Sequence, residues 1–201
     1  DESFPFSALL PHIEAFYGLN KQTRLNFTHH TLAGSWEELT HNGADIILGA
    51  INEPPTSAAW SYRMLGTLDN VFVVSPNHPL ADAQEGLSNE QLCLHRAVVI
   101  SDSARHCHPL QTNLMDEQPQ IRVDDFHSKV KLLLAGLGCG FLPRHIVSPW
   151  LASGELVEKT VISFRQKDVA YIAWRNGSDG LAQRWWRETL LASAEIAHLY
   201  Q

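Results

Sequence analysis

The chain has 201 residues, of which 44% are hydrophobic and 18% are charged, and its formal net charge is −7. This balance excludes intrinsic disorder, and the length suffices to bury a core without disulfides or metal ions. No apolar run reaches the roughly 18 residues of a transmembrane helix, so we expect no membrane partner. Because phosphate binding depends on Lys and Arg, we expect no DNA binding by these acidic residues themselves.

The cysteines indicate an intracellular chain. Cys93, Cys107 and Cys139 are odd in number and widely spaced, whereas a disulfide framework has an even and denser set. The chain opens on Asp1 without a signal peptide, and a helical pattern begins at Phe6. We therefore expect a cytoplasmic protein and interpret the chain as a piece of a longer one.

The N-terminal part of the chain predicts two helices and two strands. Apolar residues at helical spacing predict a helix over residues 6–17, which Gly18 would end. Residues 25–27 alternate as a strand does, and residues 35–42 predict a short helix. The apolar run ADIILGA at residues 44–50 is bounded by glycine and is typical of a buried parallel strand.

The rest of the chain continues this alternation. Ser88 and Gln91 have the spacing of a capping box at a helix start. Either Asp124 or Asp125 can cap the helix that carries Val130. Further strands are predicted at residues 65, 71–74, 97–100, 121–123, 140–142, 156–161 and 169–174, and further helices at residues 110–115 and 181–199.

Strands and helices that alternate throughout predict an α/β fold with mostly parallel sheets. Parallel sheets bind ligands at the carboxyl ends of their strands. We therefore expect a ligand site in the loops that follow strands, at residues 31–34, 49–52, 101–105 and 124–127.

Catalytic and metal-binding motifs are weak. His106, Cys107 and His108 are adjacent, which is a poor arrangement for one ion, and no second pair follows at a zinc-like spacing, so we predict no metal and no cofactor. No motif supplies a nucleophile with its base, so we predict no enzymatic activity. A redox pair of Cys107 with Cys139 stays open, because Arg105 and the two histidines give Cys107 an electropositive setting.

Residues 101–105, SDSAR, place two hydroxyls, a carboxylate and a guanidinium directly after an apolar strand. Backbone N–H groups at a following helix start would add donors, which makes this segment a suitable cradle for a small polar ligand. A capped turn with Arg105 in solvent explains the same residues equally well. The sequence leaves the two interpretations open.

Four segments resemble, in order and spacing, motifs of LysR-type transcriptional regulators. Residues 43–49 (GADIILG) are similar to that family's G-x-x-D, three hydrophobic residues and G, and residues 73–81 (VVSPNHPLA) to its stretch with H-P-L-A. Residues 135–143 (AGLGCGFLP) and 153–157 (SGELV) resemble its A-G-x-G and x-G-x-L-V motifs. The match is to the regulatory, effector-binding domain, without the family's N-terminal winged helix-turn-helix.

The resemblance implies an α/β fold of two Rossmann-like subdomains joined by crossover strands, like the type 2 periplasmic binding proteins. The first subdomain would hold residues 1–71 plus 175–201, and the second residues 72–174. A small-molecule effector would bind in the cleft between them. The full-length protein would bind DNA only through the missing domain, as a homodimer or homotetramer that pairs through the apolar first helix.

The loops that would line this cleft give the candidate effector-binding residues, which are Ser3, Phe4, Thr31, Gly34, Ala50, Asp102, Ser103, Arg105 and Phe126. Because a hydroxyl can donate or accept, we expect Thr31 and Ser103, with backbone N–H groups, to hold a neutral or weakly acidic effector. Arg105 is the partner for an anionic one. The alternative function is an extracytoplasmic solute-binding receptor of the same fold, which the cysteines and the absence of an export signal disfavour.

Overall fold

The computed structural model describes residues 1–19, 22–41, 43–108, 110, 115, 117–162, 164, 167–177 and 180–200. The chain divides into two units. Unit 1 comprises Asp1–Leu68, Ser103–Pro109 and Val169–Gln201, and unit 2 comprises Asp69–Asp102 and Leu110–Asp168. Unit 1 thus includes residues 103–109, which the expected division assigned to the second subdomain. The expected subdomain boundaries remain a prediction.

Unit 1 is built on neighbouring strands of one sheet that are covered by helices. Its elements are a 3-10 helix (Phe6–Leu9), α1 (Leu10–Leu19), α2 (Ala33–Thr40), β1 (Ile46–Ile51), the first part of β2 (Trp60–Val74), most of β7 (Lys167–Arg175), α6 (Leu181–Ala192) and α7 (Ala194–Leu199). β1 pairs antiparallel with β7 and bulges at Gly49, which has φ +75°. A Cβ there would lie 2.5 Å from the hydroxyl of Tyr200, so this bulge requires glycine.

Two apolar clusters hold the helices of unit 1. Phe16 of α1 packs its ring on Trp185 and Trp186 of α6, with centroids 5.1 Å and 5.5 Å apart. Under α2, Trp36 and Leu39 pack with buried residues of β1 and β7, and both are buried as the amphipathic pattern requires. This second cluster fixes α2 on the sheet and so places the polar residues of that helix.

Unit 2 contains one parallel and two antiparallel strand pairs among its described residues. Its elements are the rest of β2, α3 (Asn89–Cys93), β3 (Ala97–Ile100), β4 (Gln120–Val123), α4 (Phe126–Leu134), β5 (Gly140–Pro143), α5 (Arg144–Ser153) and β6 (Val157–Lys159). β2 pairs antiparallel with β5 and with β6, whereas β3 pairs parallel with β4. α4 covers β3 through a cluster that includes Val98, Val130 and Leu133.

Local sequence signals predicted several of these elements correctly. Ser88 and Gln91 form the predicted capping box at the start of α3. Of the two possible caps for α4, Asp125 is the one that forms. Gly136, with φ +69°, follows the end of α4 in the left-handed conformation that glycine favours there.

The expected parallel pairing was wrong for β1. Its apolar run reflects burial by the residues packed on both faces of the sheet, and such burial does not depend on the direction of the paired strand. The predicted strand at residues 25–27 does not form. Residues 23–30 line a cavity of about 360 Å³ together with residues 43–48, and no described strand pairs with them there.

Helix boundaries also differ from the expectation. α1 continues through Gly18 to Leu19. The single closing helix breaks at Ser193, which ends α6 and caps α7 by accepting from the N–H of Ile196. α5 had no predicted counterpart, and most of the predicted helix at residues 110–115 lies outside the described residues.

Candidate functional site

The predicted effector residues are distributed over both units. Phe126 and Asp102 belong to unit 2 and the other seven to unit 1. Within unit 1, hydrogen bonds join α2 and the loop before it to residues 103–107.

Thr31 and Ser103 bind each other through a reciprocal set of hydrogen bonds. The N–H of Thr31 donates to Oγ of Ser103 at 2.9 Å, and the N–H of Ser103 donates to Oγ1 of Thr31 at 3.0 Å. The hydroxyl of Ser103 also donates to the carbonyl of Thr31 at 3.3 Å. Thr31 is buried and Ser103 half-buried. The two predicted hydroxyls therefore do come together, but each is engaged by the other.

Gly34 is required by the close approach of residues 103–104 to α2. A Cβ at Gly34 would lie 2.8 Å from the carbonyl carbon of Ser103 and 2.9 Å from the nitrogen of Ala104, both closer than real Cβ contacts. Leu32, just before the helix, has φ +53° and ψ −125°. This is an unfavourable backbone conformation for leucine, and it directs the loop into the pairing with Ser103.

Glu37 of α2 anchors the same segment. Its carboxylate is buried and accepts hydrogen bonds from three successive backbone N–H groups, those of Arg105 at 2.9 Å, His106 at 3.1 Å and Cys107 at 3.3 Å. Burial acts to raise the pKa of Glu37, but the N–H donors, with Nε2 of His106 at 3.9 Å, hold it below the ordinary value of 4.5.

No local signal in the sequence marks Glu37 as part of the site. It lies between Trp36 and Glu38 on a short amphipathic helix, and the residues it binds are 68–70 positions further along the chain. Such a contact follows only from the tertiary fold.

The position of Arg105 agrees better with a turn that leaves its side chain in solvent than with a ligand cradle. Its side chain is exposed, and its backbone N–H, like those of the next two residues, donates to Glu37. These three N–H groups were among the donors expected for an effector.

Ser3, Phe4 and Ala50 are buried in unit 1. The N–H of Ser3 donates to a carboxylate oxygen of Asp1 at 2.9 Å. Phe4 stacks on Tyr200 with ring centroids 6.5 Å apart. Ala50 has no exposed surface and belongs to the cluster under α2.

In unit 2, two carboxylates hold the loops that carry Asp102 and Phe126. Asp102 accepts from the N–H of Leu110 at 2.7 Å. Asp125, the cap of α4, accepts from the N–H and the hydroxyl of Ser128 at 2.7 Å and 2.6 Å. These two bonds lower the pKa of Asp125. Phe126 is the half-buried first residue of α4.

Cys107 is exposed and Cys139 fully buried, and burial raises the pKa of the Cys139 thiol to about 12. A thiol with such a pKa is protonated at neutral pH and a poor nucleophile. Within the described part of the chain, no group of three or more His, Cys, Asp or Glu side chains could hold a metal ion. No helix of the described residues is long and apolar enough to cross a membrane.

A family model described as the LysR substrate binding domain matches residues 1–195. Over its whole length the chain is 44% identical to the HTH-type transcriptional regulator YeeY of Escherichia coli, which carries the description "uncharacterized". It is 33% identical, over 90% of its length, to the probable HTH-type transcriptional regulator YhaJ of the same species. The chain spans 65% of the length of YeeY and 60% of that of YhaJ.

Solved structures share the fold. The regulatory domain of MetR, a LysR family regulator from Neisseria meningitidis, is 19% identical with a TM-score of 0.64, and the alignment covers 94% of this chain and 90% of that one. The CcmR regulatory domain of Synechocystis, in complex with 2-PG, is 14% identical with a TM-score of 0.65, covering 93% and 91%. The fold is the type 2 periplasmic-binding-protein-like α/β fold, which confirms the expected fold class.

Proposed function

The chain belongs to the family of LysR substrate-binding domains, and on that premise we propose that it binds a small-molecule effector at the Thr31–Ser103 pair. The family match over residues 1–195 is the observation that carries the regulatory function. The full-length protein would convert effector binding into a change in promoter regulation through a separate DNA-binding domain.

The Thr31–Ser103 pair supports a ligand that replaces hydrogen bonds already present. Each hydroxyl can donate or accept, so a ligand amide, carboxyl or ring nitrogen could take the place of the partner residue. Such an exchange keeps buried polar groups satisfied, which is the condition for binding at low cost. The reciprocal pair would then exist in two arrangements, closed on itself or opened by the effector.

The surrounding charges support a neutral or weakly acidic effector. Glu37, whose pKa lies below the ordinary value of 4.5, is a carboxylate at neutral pH, and Asp102 adds a second one on the adjoining chain segment. Both repel an anion. Arg105 is the cation of this segment, but its exposed side chain lies in solvent, where an ion pair contributes little.

We propose further that the regulator self-associates as a homodimer or homotetramer in the cytoplasm. The first helical region exposes four apolar side chains, those of Phe6, Leu10, Tyr17 and Leu19, of which Leu19 is 74% exposed. A surface of this kind supports a two-fold contact between copies. DNA contacts would come from a separate DNA-binding domain, because the 201 residues together carry a net charge of −7.

The two other function classes have less support. An extracytoplasmic solute receptor of the same fold is not favoured, because YeeY and YhaJ are described as transcriptional regulators. Regulators of this family are not enzymes, and we propose that this chain has no catalytic activity.

Native mass spectrometry of the chain incubated with a bacterial metabolite extract tests the proposal. We expect one small compound to remain bound to the wild-type chain and to be depleted from Ser103→Ala and Thr31→Val. Ser148→Ala, which removes an exposed hydroxyl in α5, is the matched control and should retain the compound. If the extract leaves no compound on the wild-type chain, the proposed effector function is wrong.

A further inference from the structure

Residues 103–107 are held in unit 1 by a carboxylate to which the effector chemistry described above assigns no contact. The chain enters this segment from β3, and three successive N–H groups, those of Arg105, His106 and Cys107, converge on one carboxylate, that of Glu37. Successive backbone N–H groups arranged in this way form an anion-binding nest. Here the anion is a side chain of the same unit.

Because Glu37 is buried, its charge depends strongly on these hydrogen bonds. A buried carboxylate is costly unless it is hydrogen-bonded. The described surroundings give Glu37 no lysine or arginine side chain as an ion pair, and the His106 ring, whose Nε2 lies 3.9 Å from the carboxylate, is exposed. That ring in turn stacks against His41 with centroids 4.9 Å apart. The backbone N–H groups of residues 105–107 are therefore the main stabilisation of the Glu37 charge.

Resting on the function proposed above, we infer that Glu37 is the positioning residue of the effector site, which holds residues 103–107 on α2 and keeps Ser103 beside Thr31. Ser103 lies two residues before the first anchored N–H, so the position of its hydroxyl depends on this anchor. Gly34 permits the close approach, and Glu37 maintains it.

Two substitutions separate this role from a general effect of charge on α2. Glu37→Gln keeps the size of the side chain but replaces one acceptor oxygen by an NH₂ group, which cannot accept from the backbone N–H groups. Glu38→Gln removes the neighbouring carboxylate, which is partly exposed and lies 3.7 Å from Nδ1 of His30. Among the described contacts, Glu38 pairs with His30 and none of its bonds reaches residues 103–107, which makes it the matched control.

Amide hydrogen exchange of the 201-residue chain measures the anchor directly. We expect the protection of the amides of residues 105–107 to fall by at least about tenfold in Glu37→Gln and to stay unchanged in Glu38→Gln. The amides of β3 should keep their protection in both variants. Unchanged protection of residues 105–107 in Glu37→Gln, or an equal loss in Glu38→Gln, would overturn the inference.

Chemical rescue distinguishes binding of the Glu37 carboxylate as an anion from a role of the Glu37 side chain in packing alone. In Glu37→Ala, added acetate should restore protection of residues 105–107 in a saturable way, whereas chloride at equal ionic strength should restore much less. Equal effects of the two salts would overturn the inference.

If Glu37→Ala does not fold, the pH dependence of the wild-type chain is the deciding test. The protection of the amides of residues 105–107 should persist at pH 4.5 and fall below that pH as Glu37 is protonated. Protection that does not fall with pH would contradict the anchor.

The anchor and the proposed function fail in different ways. If no compound from the extract binds the wild-type chain, the function fails even where the exchange contrast between Glu37→Gln and Glu38→Gln stands. If a compound binds Glu37→Gln as tightly as it binds the wild-type chain, the positioning role is overturned and the proposed function stands.

Discussion

Two segments that carry predicted effector residues are each held by a carboxylate that accepts hydrogen bonds from backbone N–H groups. The two carboxylates differ in how far along the chain their donors lie. In unit 2, Asp125 accepts from the backbone N–H of Ser128, three residues away in its own helix. In unit 1, Glu37 accepts from the N–H groups of residues 105–107, which are 68–70 positions away. Both carboxylates have a lowered pKa, which in Asp125 comes from the hydroxyl and then the N–H of Ser128, and in Glu37 from the three backbone N–H donors.

The difference lies in what each carboxylate controls. Asp125 satisfies the orphan donors of one helix end, so its removal affects the first turn of α4. Glu37 holds a segment that has no helix or strand of its own among residues 103–107. The local cap therefore acts on one turn of a helix, whereas the remote anchor acts, together with the Thr31–Ser103 bonds, on the position of a loop.

The largest expected effect is at Gly34, on which the approach of residues 103–104 to α2 depends. Gly34→Ala places a methyl group against the backbone of Ser103 and Ala104, and overpacking of this kind costs about 1–3 kcal/mol of unfolding free energy. Gly18→Ala is the matched helical control, because nothing lies within 4 Å of its Cβ position, and it should stabilise the chain by up to about 1 kcal/mol. Urea unfolding of both variants measures the contrast, and equal stability of the two would show that residues 103–104 do not press on α2.

The local cap gives a smaller effect. Asp125→Ala should lower the unfolding free energy by about 1 kcal/mol, the usual cost of losing an N-cap. Asp124→Ala removes the neighbouring exposed carboxylate and should change stability by less than about 0.5 kcal/mol. Thermal unfolding of the two variants measures this difference. A larger loss of stability in Asp124→Ala than in Asp125→Ala would show that Asp125 is not the cap.

The smallest expected effect is the dependence on pH. Both carboxyls have folded-state pKa values below their ordinary values of 4.5 and 3.8, so the stability each contributes is present above those values and lost as pH falls through the folded-state pKa. Unfolding free energies measured from about pH 6 down to pH 3 should therefore fall below pH 4.5. Glu37→Gln and Asp125→Ala should each flatten the decline, and a slope unchanged in both variants would contradict the lowered pKa values.

The sequence predicted what depends on near neighbours. The capping box of Ser88 with Gln91 and the cap of α4 are fixed by residues three positions apart, so their spacing is visible in the chain. The break at Ser193 has the same local chemistry, but it lies inside a continuous amphipathic pattern that favours one helix.

What the sequence did not reveal depends on partners far along the chain. The direction of β1 follows from β7, more than 110 residues away, and an apolar run is equally consistent with either pairing. The reciprocal bonds of Thr31 with Ser103 and the Glu37 anchor likewise join residues about 70 positions apart. The family motifs predicted that Thr31 and Ser103 belong to one site, but not that each already satisfies the other.

Calorimetric titration of the compound retained by the wild-type chain tests the central claim most directly. Thr31→Val and Ser103→Ala should each weaken its binding by about 1–3 kcal/mol, the cost of leaving a buried polar partner unpaired, which corresponds to roughly 5- to 150-fold in Kd. Ser148→Ala should bind with wild-type affinity. Wild-type affinity in both Thr31→Val and Ser103→Ala would place the effector elsewhere and contradict the account.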